Sequence, residues 1–266
     1  MKYILAVAAL LFSVIMPAQA VDTHTVRLAT SSSLVASGLI DILKPAFKTA
    51  TGYDLEVYAV GSGRALRMGR LGQADVVIAH APNIEQRFVV AGHAELRLPL
   101  MKNTFILVGP EDDPAGAKGS ATTAEAFRKI ASQQKTFVTR ADDSGNHKKE
   151  LEAWTAANIT PGGDWYYQTG QGMLPSLRKA SELAAYLIVD SGSWLNNRRQ
   201  TKLAPIVTTD PLLENPYSLI ATSEAKHPEI NHEGKTAFVE WILSSEGLGL
   251  ISSLKVDGES LFTVTR

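Results

Sequence analysis

Four short polar turns hold most of the chemistry this chain can offer. They are Thr30-Ser31-Ser32-Ser33, Gly61-Ser62-Gly63, the run "TRADDSGNH" over 139–147, and Asp190-Ser191-Gly192-Ser193. Each follows an apolar, strand-like run and precedes a helix-like one. A helix opening at such a turn presents unpaired backbone N–H groups and the positive end of its dipole, and both favour an anion. Serine and threonine hydroxyls add donors that bring no charge of their own. In open α/β sheets, ligands bind beyond the carboxyl ends of the strands, where these turns fall. N-capping is the better explanation of any one of them taken alone; four in equivalent places point to a shared ligand. Arg140 ends the strand-like "KTFVTR" and offers a forked donor set to an oxyanion. It is also placed to pair with Asp142 or Asp143, and the sequence leaves both readings open.

Other chemistries find less support. "GSGRALRMG" matches neither G-x-G-x-x-G nor G-x-x-x-x-G-K-[ST]. Ser144, His147 and Asp142 are too close in sequence to be placed as a hydrolase triad, and there is no G-x-S-x-G elbow. The six histidines follow no zinc-binding spacing and cysteine is absent, so neither a metal site nor a disulfide is expected. No base–nucleophile pair marks an enzyme. The adjacent aromatics of "GDWYYQTGQGM" read as packing under a loop.

The elements that must position the turns alternate along the chain. "TVRLAT", "DLEVYAVG", "ADVVIAHA", "TFILVGP", "KTFVTR", "AYLIVDSG" and "YSLIAT" read as strands. Between them come a helical pattern through Leu39, Ile42, Leu43 and Phe47, interrupted at Pro45, and helices near 122–133, 147–157 and 173–183. "KTAFVEWILSSEGLGLI" closes the series as an amphipathic run. This alternation predicts an α/β protein with largely parallel sheets. "NTFILVGPEDDPAG" and "DPLLENPYSLIAT" join proline-rich connections to apolar runs and read as two crossings between lobes. The first lobe would be 21–104 plus 217–266 and the second 105–216, with "TFILVGP" and "YSLIAT" side by side.

The 266 residues are 45% hydrophobic and 20% charged, with a formal net charge of -1, which gives no electrostatic case for nucleic acid or an anionic membrane. Residues 1–20 have the layout of a cleavable secretory signal peptide: Lys2, an apolar run from Tyr3 to Met16, then Pro17 and Ala18-Gln19-Ala20. The run is short for a membrane span. The mature chain would begin near Val21, in the periplasm.

With these motifs in view, the chain resembles the tungstate-binding receptors of tungstate ABC importers. The resemblance runs through "LATSSSLVASGLIDILKPAFKTATG", "VYAVGSGRALRMGRLGQADVVIAHAP", "ILVGPEDDPAG", "FVTRADDSGNHKKELEAW" and "GDWYYQTGQGM". It implies a two-lobed type II periplasmic-binding-protein fold with two interlobe crossings. It also implies a non-enzymatic receptor without a cofactor, taking tungstate first and molybdate next. The receptor would act as a monomer, deliver the anion to an inner-membrane ABC permease and bind no nucleic acid. Thr30, Ser31, Ser32 and Ser62 would donate from the first lobe, and Arg140, Ser144, Asn146 and Ser193 from the second. Asp142 and Asp143 would point away from the anion or cap a helix. The chain departs from the family in reading Thr30-Ser31-Ser32-Ser33 for T-T-T-S, Gly61-Ser62-Gly63-Arg64 for G-T-G-Q and Asp190-Ser191-Gly192-Ser193 for D-R-G-T. The competing expectations are a diverged paralogue for phosphate, sulfate or a small carboxylate, and a periplasmic sensor subunit.

Overall fold

In the computed structural model, which describes residues 23–265, β1 (Thr25–Ser31) runs parallel to both β2 (Asp54–Val60) and β3 (Val76–Ala79). The signal segment read over 1–20 lies outside the described residues. Parallel neighbours need a crossover connection. Helices α1 (Ser32–Ala36) and α2 (Leu39–Thr51) supply the first, and α3 (Ser62–Arg70) the second. The starts of α1 and α3 are thereby brought to one end of the sheet.

Gly38, at φ +83°, separates α1 from α2 in a conformation that costs residues with a Cβ but not glycine. Pro45 does not break the pattern as expected. It sits on the exposed face inside α2, while Leu39, Ile40, Leu43 and Phe47 bury the opposite face. The packing of that face holds the helix across the missing N–H.

After α4 (Pro82–Val90), the 17-residue strand β4 (Ala94–Pro110) organises the rest of the sheet. Then follow α5 (Thr123–Ser132), β5 (Phe137–Thr139), α6 (Gly145–Ala156), β6 (Tyr166–Gln168), α7 (Met173–Glu182), β7 (Leu187–Asp190), α8 (Ser191–Asn197), β8 (Leu203–Val207) and β9 (Glu214–Thr222). Helices α9 (His232–Ile242) and α10 (Ser245–Ser253) precede the short strands β10 (Lys255–Val256), β11 (Glu259–Ser260) and β12 (Thr263–Val264). The amphipathic C-terminal run is thus two helices, with Ser244 capping the second.

The eight-stranded sheet is mixed rather than largely parallel. β9 runs antiparallel to β3 and β4, and β7, β8 and β12 run antiparallel to β4. The pairing of "TFILVGP" with "YSLIAT" is also corrected. "YSLIAT" lies along Leu96–Met101, the strand pair ends at Thr104↔Glu214, and Phe105–Pro110 pairs instead with β7 and β8. The physical reason is that β4 continues as one strand from one group of partners to the other. The chain therefore crosses at Met101–Thr104 and Tyr217–Glu214.

Each group of strands has its own aromatic packing. Phe47 meets Phe238 and Trp241 at ring separations of 5.1 and 5.3 Å. Trp154 meets Phe127 and Phe137 at 4.2 and 5.0 Å; Trp165 and Tyr166 pack on Trp154, while Tyr167, on the other face of β6, is exposed rather than packed. Full burial of one such ring contributes roughly 1.5–3 kcal/mol. These clusters are the rigid ground on which the polar turns stand. Among the described residues no helix is long and apolar enough to cross a membrane.

Candidate functional site

Strand β5 ends at Thr139, Arg140 follows it directly, and the chain then makes a tight turn in which Ala141 and Asp143 take positive φ, +48° and +58°. The turn folds the Asp142 carboxylate back onto the guanidinium. Oδ2 of Asp142 accepts from Nε of Arg140 at 3.1 Å and from Nη2 at 2.5 Å. Oδ1 accepts the N–H of Ser144 at 3.2 Å and its hydroxyl at 2.6 Å. Asp142 therefore does not point away: it holds Arg140 and braces the start of α6. Arg140 is only 3% exposed, and its remaining terminal nitrogen, Nη1, makes a single weak contact with Sδ of Met173 at 3.9 Å. Asn146, in the first turn of α6, donates to the same sulfur at 3.1 Å.

The turns after β1 and β2 meet this edge from the other side. A groove of about 480 Å³ is lined by Ser32, Gly61 and Arg64 from one side and by Arg140, Asp142 and Gly172 from the other. A Cβ on Gly61 would stand 3.5 Å from Cα of Ser144, so the two turns are in van der Waals reach. Ser62 is fully buried, and its oxygen accepts the N–H of His80 at 3.4 Å, which leaves its own proton free to donate. Ser31 caps α1 by accepting from Leu34 N at 3.2 Å and shares a 3.1 Å hydrogen bond with Ser33. Thr30 is turned away: its hydroxyl donates to the carbonyl of Ile78 at 2.9 Å and ties β1 to β3. It supports the turn rather than facing the groove.

The fourth turn, at the end of β7, comes to the same interface. Asp190 caps α8 by accepting from Ser193 N at 2.9 Å, while Oγ of Ser193 and Oδ2 of Asp190 are buried with no hydrogen-bond partner among the described residues. Asn196 of α8 donates to the carbonyl of Ser37 at 3.2 Å, joining α8 to the end of α1.

One part of the site escaped sequence reasoning. His80 Nδ1 meets Oδ1 of Asn215 at 2.8 Å, and Nδ2 of Asn215 donates to Oδ1 of Asn103 at 2.7 Å. An amide oxygen only accepts, so His80 carries its proton on Nδ1. Burial pushes the imidazole down to about 4 and keeps it neutral. The relay leaves Nδ2 of Asn103 buried and without a partner among the described residues, beside the start of α8. The only sequence sign was a pair of asparagines inside the two apolar crossing runs. His80 also fixes how near α6 comes, since a Cβ on Gly145 would fall 2.4 Å from its ring.

The site thus combines one buried guanidinium, hydroxyls and amide donors drawn from both ends of the sheet. Among the described residues no group of acidic, histidine or cysteine side chains is arranged to hold a metal cation. The arrangement suits a small anion held by directed donors.

Comparison with known proteins agrees with this geometry. Residues 17–246 match the PBP superfamily domain. The tungstate-binding protein TupA of Peptoclostridium acidaminophilum is 43% identical over 243 residues, covering 90% of this chain and 85% of that protein. The crystal structure of the tungstate ABC transporter from Geobacter sulfurreducens is 36% identical with a TM-score of 0.78, covering 86% of this chain and 97% of that one. The tungstate-binding protein TupA from Desulfovibrio alaskensis G20 is 37% identical with a TM-score of 0.77, covering 91% and 98%. On fold, site and sequence together, this chain belongs to the tungstate-binding protein family of the PBP superfamily, with its type II two-lobed fold.

Proposed function

We propose that this chain is an exported receptor that captures a tetrahedral oxyanion between its lobes, tungstate first and molybdate next, and hands it to an inner-membrane ABC permease. It catalyses no reaction. The lobes are 21–104 with 217–266, and 105–216, and residues 1–20 direct export to the periplasm, where the receptor acts as a monomer. The observation that carries the reading is Arg140: a guanidinium 3% exposed, braced on one edge by Asp142, with only a 3.9 Å contact to Met173 at Nη1, and lining one groove with Ser32 and Gly61 from the other lobe. Ser31, Ser32 and Ser62 supply hydroxyls or the N–H groups beside them from one lobe, and Ser144, Asn146 and Ser193 from the other. The names borne by the relatives support tungstate as the ligand.

A ligand that binds only the native state raises the melting temperature by mass action. Tungstate and molybdate at a hundredfold excess over their dissociation constants would stabilise the protein by about 2.7 kcal/mol. Sugars, amino acids, calcium and zinc would leave the melting temperature unmoved. A shift with a divalent cation and none with any oxyanion would refute the proposal. A shift with phosphate or sulfate alone would assign the protein to another anion.

A further inference from the structure

Four charged side chains line the groove of about 480 Å³: Arg64 from one side, and Arg140, Asp142 and Asp143 from the other. Three of them have local partners. Asp142 is paired with the Arg140 guanidinium, and Asp143 accepts from Nζ of Lys148 at 2.8 Å. Arg64 is exposed and has no carboxylate partner among the described residues. With Lys148 counted beside Asp143, the groove is left with one uncompensated charge, and that charge is the Arg64 guanidinium.

Its place on α3 is unfavourable for the helix itself. Arg64 falls in the first turn, at the positive pole of the helix dipole, and no acidic residue accompanies it there. Arg67 and Arg70, in the last turn, complement the dipole instead. Those two line a neighbouring groove of about 400 Å³ together with Arg87 and His93. Helix α3 thus carries two arginines where its own dipole favours them and one where the groove, not the helix, gives the charge a use.

We propose that Arg64 is the second cation of the anion site: from the α3 side of the groove it supplies the positive charge that Asp142 cancels at Arg140. This rests on the oxyanion reading of the site. Arg140 holds the dianion through directed hydrogen bonds from a buried guanidinium, and Arg64 matches its charge at the solvent-facing rim. A rim charge acts mainly on association rate and salt dependence, whereas a buried pair acts on dissociation. It is also screened, over a Debye length of about 8 Å at physiological ionic strength and about 3 Å at 1 M. Charge rather than planar geometry is what this position requires, so a lysine serves there as an arginine does.

The test is calorimetric titration of tungstate into the parent, Arg64→Gln, Arg64→Lys and Arg70→Gln, in about 0.15 M and about 1 M sodium chloride. Arg64→Gln should bind roughly three- to tenfold more weakly at the lower salt and come within about twofold of the parent at the higher. Arg64→Lys should stay within about twofold of the parent at both. Arg70→Gln removes the same charge from the same helix but beside the other groove, and it too should stay within about twofold. Without ligand, Arg64→Gln should melt at the parent's temperature or slightly above, because α3 loses a cation opposed to its dipole. Parental affinity in Arg64→Gln at the lower salt would overturn the proposal. So would a loss that persists undiminished at the higher salt, an equal loss in Arg70→Gln, or a lysine variant as weak as the glutamine one. Failure of the parent to bind any oxyanion would instead overturn the reading on which the proposal rests.

Discussion

Asp142 holds Arg140 through one carboxylate oxygen and the first turn of α6 through the other. The bond to Nε and Nη2 fixes the plane of the guanidinium and leaves Nη1 with one weak contact, to the Met173 sulfur at 3.9 Å. The same carboxylate puts a negative charge beside the place where a dianion would sit. An asparagine would preserve an acceptor for Ser144 and remove that charge.

Asp142→Asn should therefore bind tungstate more tightly, by about tenfold, the effect of relieving roughly 1.4 kcal/mol of like-charge repulsion. Titration of the purified variant checks this. Weaker binding by a folded variant would mean that orienting Arg140 matters more than the charge.

Gly145 meets the ring of His80 so closely that any Cβ must displace one of them. Gly145→Ala should cost about 1–3 kcal/mol of stability through overpacking. It should also weaken anion binding, because α6 carries Ser144 and Asn146 and would be held away from the β3 end of the sheet. Melting curves with and without tungstate separate the two effects. A variant with parental stability and affinity would show that the contact is easily relieved.

Much of this was legible in the sequence, for physical reasons that particular residues show. Ser31, Ser62, Ser144 and Asp190 stood out because polar residues at the junction of an apolar strand and a helix signal caps. The turns after β1 and β2 came to one sheet end because parallel crossovers start there, whereas β7 runs antiparallel to β4 and β5 pairs with β6 in a separate sheet, so their turns approach from the other side. The antiparallel course of β9 was not legible: "YSLIAT" has the same apolar character whichever way it runs. The relay from His80 through Asn215 to Asn103 joins residues 135 and 112 positions apart, so no spacing rule reaches it. Whether Arg140 pairs with Asp142 depended on a turn with two positive-φ residues, neither of them glycine, which residue types alone do not announce.

Glu150 lies buried in α6, accepting from Trp154 Nε1 at 3.2 Å and from the Tyr166 hydroxyl at 2.5 Å. Burial is the largest influence and pushes its carboxyl from 4.5 up to about 7, against the pull of those hydrogen bonds. The folded state therefore holds a proton that the unfolded state releases at lower pH. This contribution is fully present below about pH 4.5, falls as the pH rises, and is lost above about 7. At 1.36 kcal/mol per pH unit, Glu150→Gln should remove a penalty of roughly 3 kcal/mol at pH 8 and leave stability at pH 4 little changed. Urea unfolding at the two pH values checks the sign. A variant destabilised equally at both would show that Glu150 acts through its hydrogen bonds alone.

On the proposed function, a buried Arg140 with donors from both lobes makes the anion site. Isothermal titration of tungstate into the parent, Arg140→Gln and Arg140→Lys tests it most directly, with circular dichroism confirming that each is folded. Truncating one partner of a buried, hydrogen-bonded charge pair costs roughly 2–5 kcal/mol. Arg140→Gln should thus bind at least about thirtyfold more weakly. Arg140→Lys should recover part of the loss, since a point charge cannot reproduce the planar fork. A folded Arg140→Gln that binds tungstate as the parent does would contradict the account and leave Arg140 as the partner of Asp142 alone.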